Sequence, residues 1–311
     1  MELGFLTSRF PGLALEEVIR RASQDGFRAI EVSAWPRKSG RDYKARHLAV
    51  ESFNKSDAGR IKDLLAANRI RISALAYYEN TLDPNPRRRK SVITHLKQVI
   101  KVSALLDVNL VGTFVGARPD KSPPANMKEI GKEFRRILNF AEDLGVKVMI
   151  ENCPMVGWHK QGIPGNYAYS PELWEALFNE VLSRNFGMNF DPSHLVWLGI
   201  DYLKAARDFG SRIFHAHAKD CEISAANLFR FGVHGEQLTS NQRDPGWWRY
   251  RLPGNGSIDW KAFVAALQNA GYDDVLSIEL EDPDWEGSQE KLFEGLRKGR
   301  DFLAHVLNSG D

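Results

Sequence analysis

Cysteine is almost missing from this chain: Cys153 and Cys221 are the two in 311 residues, and they form no Cys-x-x-Cys pair. A disulfide framework is thereby excluded as the support of the fold, and a reducing compartment is the simpler expectation. No run of about 18 apolar residues occurs, so no membrane-spanning helix is expected. Met1-Glu2-Leu3-Gly4-Phe5 passes straight into an apolar strand without a charged lead or cleavage site, which makes the cytoplasm the expected location and gives a membrane no role. An excess of one charge is missing too. The 42 basic and 40 acidic residues leave +2, so no overall field favours a polyanion and nucleic acid is not an expected partner. The one basic run, Arg87-Arg88-Arg89-Lys90, follows Asp83-Pro84-Asn85-Pro86 and reads as the solvated start of a helix. No linker rich in Pro, Gly or Ser divides the sequence, and residues 1–311 are expected to make one domain.

What is present is alternation. Short apolar runs at 3–6, 29–32, 70–76, 109–115, 147–151, 186–191, 213–217 and 275–279 have the length of buried parallel strands. Amphipathic segments at 15–24, 57–67, 88–106, 127–144, 171–182, 202–208, 260–270 and 289–306 follow them in turn, several ending on a stop such as Gly26 or Gly271. Repeated strand–helix units imply a parallel sheet with helices outside, and eight of them favour closure into a single (β/α)8 TIM barrel. The rival is an open doubly wound sheet, but Leu6-Thr7-Ser8-Arg9 stands where its Gly-x-Gly-x-x-Gly turn would be. One stretch breaks the spacing, a long insertion at about 221–257 after the seventh strand. Long loops in compact domains are usually binding loops, lids or disordered stretches.

In a parallel barrel the C-terminal strand ends converge on one mouth. Four such ends here are polar: Val148-Met149-Ile150-Glu151-Asn152, Asn189-Phe190-Asp191-Pro192-Ser193-His194, His215-Ala216-His217-Ala218-Lys219-Asp220 and Ser277-Ile278-Glu279-Leu280-Glu281-Asp282. Carboxylates in a dry mouth are costly unless a cation neutralises them, and acids plus imidazole on four neighbouring strands suit one divalent metal ion. Oxygen and nitrogen donors suit Mn²⁺, Mg²⁺, Co²⁺ and Zn²⁺ alike, and Mn²⁺ is taken as the expected ion. Pro253-Gly254-Asn255-Gly256 lacks the Lys-Ser/Thr of a nucleotide loop and is read as the return from the insertion.

With Ile150-Glu151-Asn152, Asp191-Pro192-Ser193-His194, His215-x-His217-x-Lys219-Asp220, Pro253-Gly254-x-Gly256-x-Ile258-Asp259-Trp260 and Ile278-Glu279-x-Glu281-Asp282 in this order, the chain resembles the xylose isomerase-like barrels over nearly its whole length. Within them it resembles the sugar isomerase/epimerase and inosose dehydratase group. The resemblance implies that Glu151, Asp191, His217 and Glu279 ligate the metal, with His215 deeper in the barrel. It implies that His194 hydrogen-bonds the substrate. Glu281 shares a face with Glu279, and Asp282 faces away from the mouth. The implied chemistry is proton transfer beside a sugar carbonyl. The metal would stabilise an enediolate, with Glu151 and Glu279 as base and acid on its two sides.

Similar ketose epimerases carry a further glutamate soon after the fifth-strand ligand and an arginine after the metal-bound histidine. Cys153-Pro154-Met155-Val156-Gly157-Trp158-His159 and Ala218-Lys219-Asp220-Cys221-Glu222-Ile223 supply neither, leaving His159 and Lys219 as local substitutes. Phe229-Arg230-Phe231-Gly232-Val233-His234-Gly235 and Trp247-Trp248-Arg249-Tyr250-Arg251 would make the insertion either a cover over a larger sugar or a contact in a homo-oligomer. Trp35, Tyr77, Tyr78 and Trp158 could join the cover. The expected function is an isomerase or epimerase of a small carbohydrate. A lyase of the same mechanism, acting on a keto-inositol or a 3-keto-glycoside, is the alternative. A DNA-repair endonuclease is the remote one, because Leu75-Ala76-Tyr77-Tyr78-Glu79-Asn80 and Thr113-Phe114-Val115-Gly116 lack the extra histidines of a three-zinc cluster.

Overall fold

Each short apolar run becomes a strand and each amphipathic segment a helix laid over it. The computed structural model describes residues 1–36, 45–156, 164–233 and 246–309. In chain order they form β1 (Glu2–Leu6), α1 (Leu15–Gln24), β2 (Ala29–Ser33), α2 (Lys55–Asn68), β3 (Arg71–Asn80), α3 (Pro86–Leu105), β4 (Leu110–Phe114), α4 (Pro123–Glu142), β5 (Lys147–Glu151) and α5 (Pro171–Glu180). Then come β6 (Phe186–Phe190), α6 (Pro192–Leu198), α7 (Tyr202–Asp208), β7 (Ile213–Ala218), β8 (Asp220–Ile223), α8 (Ala225–Phe231), β9 (Trp248–Arg251), α9 (Trp260–Asn269), β10 (Val275–Ile278) and α10 (Gln289–Asn308). Eight strands close into a barrel in the order β1-β10-β7-β6-β5-β4-β3-β2, each pair parallel. β2, β4, β6 and β10 are buried at every position, with helices on one side and the barrel interior on the other. That is why they read as continuous apolar runs rather than as an alternation. Among the described residues no helix is long and apolar enough to cross a membrane.

Outside the stretch after β7, β3 and α6 depart from the sequence expectation. β3 runs on to Asn80, past the expected end at 76, because Tyr77 and Tyr78 are strong strand formers; its register against β4 slips between Ala76 and Asn80. α6 was not expected at all. Asp191 caps it, its Oδ1 accepting from the Ser193 N–H at 2.8 Å and the Ser193 hydroxyl at 2.6 Å, and Pro192 supplies the preset first turn. Gly199, at φ +70°, stops it after seven residues.

In the stretch after β7, β8 pairs antiparallel with β9, setting Cys221 opposite Tyr250 and Ile223 opposite Trp248. Trp248 stacks face to face on Trp197 of α6, centroids 4.5 Å apart. Two buried carboxylates hold the open end of this hairpin, where Asp220 pairs with Arg251. Asp220 accepts from the N–H groups of Cys221 (2.8 Å), Gly254 (3.0 Å) and Ile258 (3.1 Å) and from Trp260 Nε1 (2.8 Å). Asp282, turned from the mouth, accepts from the Leu252 N–H at 2.9 Å. The glycine-rich return therefore wraps a carboxylate, and a Cβ on Gly256 would sit 2.2 Å from Asp220 Oδ1. Asp220→Ala strands these donors without an acceptor, and a loss of order 3 kcal/mol in unfolding free energy is expected by denaturant titration. A midpoint equal to the parent's would refute the anchor.

Candidate functional site

At the C-terminal mouth lies a cavity of about 220 Å³ whose walls include Glu151, His194, Lys219, Glu279, Trp248 and Tyr250. Four adjacent strands deliver its acidic floor. Glu151 ends β5, Asp191 follows β6, His217 lies in β7 and Glu279 follows β10. One donor atom from each of these four lies within 4.8 Å of all the others. His217 Nδ1 stands 3.2 Å from Glu279 Oε2, 3.6 Å from Glu151 Oε1 and 4.0 Å from Asp191 Oδ2. Neither His217 Nδ1 nor Asp191 Oδ2 makes a hydrogen bond, although Lys219 Nζ approaches the latter at 3.0 Å. Buried polar atoms are seldom left so. Two of them facing the same point, beside two more carboxylates, is a donor arrangement that a divalent ion satisfies.

The ring of His217 is fixed from behind. Its Nε2 lies 2.8 Å from Glu31 Oε2, and Glu31 in turn accepts from the Tyr78 hydroxyl (2.7 Å) and the Ser277 hydroxyl (3.0 Å). A carboxylate behind an imidazole sets which nitrogen faces forward, here Nδ1. His215 lies deeper, between Ser73 Oγ (3.0 Å) and Asn189 Oδ1 (3.1 Å). Burial lowers its pKa to about 4 against the pull of Glu31, so it is neutral at pH 7. The donor atoms of Glu31, His215 and His217 form a second close group, and those of Glu151, Cys153 and His194 a third.

Lys219 is buried among the acids. Its Nζ lies 2.5 Å from Glu279 Oε2, 3.0 Å from Asp191 Oδ2, 3.2 Å from Glu281 Oε2 and 3.5 Å from His194 Nε2. Burial alone would strip its proton; Asp191, Glu279 and Glu281 reverse that and hold its pKa well above the ordinary lysine value. Burial also pushes Glu281 up. Burial and the charge of Glu279 push Glu151 the same way, but His194 and His217 outweigh them and bring it down to about 2. For His194 burial acts downward, and the Cys153 sulfur and Asp191 carboxylate, opposed by Lys219, raise it to about 10.

These shifts fix a pH dependence for the metal-free protein. Glu151, depressed from 4.5 to about 2, contributes stability that is present above pH 4.5 and lost as pH falls through 2. His194, raised from 6.5 to about 10, contributes stability that is present below pH 6.5 and lost as pH rises through 10. The thermal midpoint of chelator-treated protein is therefore expected to peak between about pH 4.5 and 6.5 and to fall on both sides. A profile flat into the alkaline range would contradict the environment described for His194.

Of the other residues singled out in the sequence, His194 lies in the site, its Nε2 3.2 Å from Glu151 Oε1 and 3.3 Å from Asp191 Oδ2. Tyr77 does not line the cavity. Strand alternation turns it outward, onto His95 (centroids 4.5 Å apart) and Trp35 (6.0 Å), and its neighbour Tyr78 faces in. Trp158, His159 and His234 lie outside the described residues. Sequence reading missed Glu31, whose signal was an acid inside the apolar run Ala29-Ile30-Glu31-Val32-Ser33. It placed Tyr250 in the insertion without placing it at His194, from whose Nδ1 its hydroxyl lies 2.7 Å.

Comparison with known proteins places this geometry among relatives. A family model described as xylose isomerase-like TIM barrel matches residues 19–305. The chain is 28% identical over 301 residues to YfiH, an uncharacterised protein of Bacillus subtilis (strain 168), covering 91% of this chain and 93% of that one. It is 26% identical over 215 residues to an inosose isomerase of the same organism, covering 69% and 68%. A solved structure, the IolI protein with a bound zinc atom, superposes with a TM-score of 0.71 at 20% identity over 98% of this chain and 99% of that one.

Proposed function

Because the chain belongs to the xylose isomerase-like TIM barrel family, we propose that it is a divalent-metal-dependent isomerase or epimerase of a small carbohydrate, with Glu151, Asp191, His217 and Glu279 as metal ligands. The observation that carries this reading is the convergence of those four donors around His217 Nδ1 and Asp191 Oδ2, buried atoms without hydrogen bonds. The inosose isomerase relative and the zinc-bound IolI structure support it in substrate class and in metal. A divalent ion held there supplies Lewis-acid polarisation of a substrate carbonyl and balances the negative charge left when the neighbouring carbon loses its proton.

The chain's own residues do the rest. Glu151, kept ionised by His194 and His217, takes the proton from carbon, and Glu279 across the floor, drawing a proton from Lys219 Nζ 2.5 Å away, passes it to the other face. His194 Nε2 holds a substrate hydroxyl. Lys219 screens Glu279 from Asp191 and Glu281, so that three carboxylates can stay close. The aromatic rings of Trp248 and Tyr250 cover the cavity and exclude water.

One observation favours elimination as a second reading. Lys219 and His194, 3.5 Å apart on one wall, are proton donors beside the floor. A hydroxyl leaving as water from the carbon next to the one deprotonated would find its proton there. The test is solvent-deuterium incorporation, followed by NMR, into ketoses, keto-inositols and 3-keto-glucosides incubated with the metal-loaded enzyme. Label in an isomerised or epimerised product supports the first reading. Label accompanied by release of water or an aglycone supports the second. Absence of exchange across the panel, with metal bound, would sink both.

A further inference from the structure

Tyr250 reaches the site from outside the barrel. It sits in β9, and its hydroxyl meets Nδ1 of His194 at 2.7 Å while the Nε2 edge of the same ring faces Glu151 and Asp191. The two rings stand at right angles with centroids 5.3 Å apart, and Lys219 Nζ lies 4.4 Å above the Tyr250 ring. An imidazole joined to its helix by a single Cβ turns about two bonds, and one hydrogen bond on the far nitrogen removes that freedom. The bond can serve so because β9 is itself immobilised, by Asp220 and Asp282 just beyond its C-terminal end and by Trp248 stacked on Trp197 at its start.

From this we propose that Tyr250 is a positioning residue. Through it the β8–β9 hairpin orients His194 so that Nε2, rather than Nδ1, addresses the metal-site carboxylates and the substrate. The hairpin is thus a working part of the site and not only its cover. The effect on turnover rests on the function proposed above; the orientation of the ring does not. In chemical terms the hydroxyl donates to Nδ1 when His194 is neutral and accepts from it when the ring is charged, so the orientation is kept in either state.

The experiment uses full-length Zn²⁺-loaded protein labelled with ¹⁵N histidine, with the His194 ring nitrogens assigned by their loss in His194→Gln. Tyr250→Phe keeps the ring over Lys219 and removes only the hydroxyl. Both His194 nitrogen resonances are expected to shift, and Nε2 to broaden as the ring samples a second orientation. Arg249→Gln, which breaks the ion pair to Glu222 across the hairpin and does not line the mouth cavity, is expected to leave them in place. An Nε2 resonance unchanged in Tyr250→Phe overturns the proposal. Equal shifts in both variants overturn it too, since they would report a loosened hairpin rather than a lost bond. On any substrate that exchanges deuterium, Tyr250→Phe should lower kcat roughly ten- to hundredfold with KM and Zn²⁺ affinity nearly unchanged. A loss confined to KM or to Zn²⁺ affinity would refute the positioning role. If the parent enzyme exchanges nothing, the proposed function fails, and the nitrogen resonances still decide for or against the hairpin.

Discussion

Glu151→Gln should silence the enzyme. The amide keeps the volume and one oxygen donor of the carboxylate but cannot accept a proton, so solvent exchange into substrate is expected to fall by about 10³-fold or more. Metal affinity should fall by a smaller factor, roughly tenfold, because Asp191, His217 and Glu279 remain. The separation between the two losses is the informative quantity, read from exchange rates by NMR and from metal binding by calorimetry. A variant that loses both together has lost a ligand and says nothing of a base. A variant that binds metal and still exchanges deuterium removes Glu151 from the proton path and leaves Glu279 to act alone.

The second large effect is on stability. Lys219→Met keeps most of the length of the side chain and deletes its charge, leaving Glu279, Glu281 and Asp191 facing one another in a dry space. Removing one member of a buried ionic cluster costs about 3–5 kcal/mol, far more than the cluster contributes when complete. That loss is expected in chelator-treated protein, measured by denaturant titration. A saturating divalent ion should recover much of it, because positive charge is what the carboxylates lack. Equal destabilisation with and without metal would mean that Lys219 and the ion do not share the same acids, which would separate Lys219 from the metal site altogether.

Much of this architecture could be read from the sequence, since parallel strands buried on both faces must be apolar throughout and their helices must carry a stripe. The barrel followed from that, as did the positions of its eight strands to within a few residues. Glu151, Asp191, His217 and Glu279 were legible as candidates because a charge directly after an apolar run is conspicuous. Glu31 was not, because a single acid within a run looks like an exposed face until the closed barrel turns it inward towards β7 and β10. α6 was hidden by its length; seven residues give the 3.6-residue period too few repeats to show. Tyr77 could not be told from Tyr78 without a register, and a register slip of the kind found in β3 cannot be seen in composition. Tyr250 lay within a stretch whose antiparallel pairing is set by Asp220 and Asp282, contacts that no periodicity records.

Glu31 ties together strands that are remote in sequence: it belongs to β2 and is bonded by Tyr78 of β3, His217 of β7 and Ser277 of β10. Four separate strands thus depend on one carboxylate, and each is chemically incomplete without the others. A gene drifting one codon at a time would find few acceptable single steps here. Losing Glu31 takes the carboxylate from an imidazole and two hydroxyls at once, leaving Asn189 Nδ2 as the contact of His217 Nε2 and Tyr78, and losing His217 leaves an acid without its base. The interior of this barrel is therefore constrained as a block, and the Tyr250 hydroxyl extends that constraint to β9 through His194.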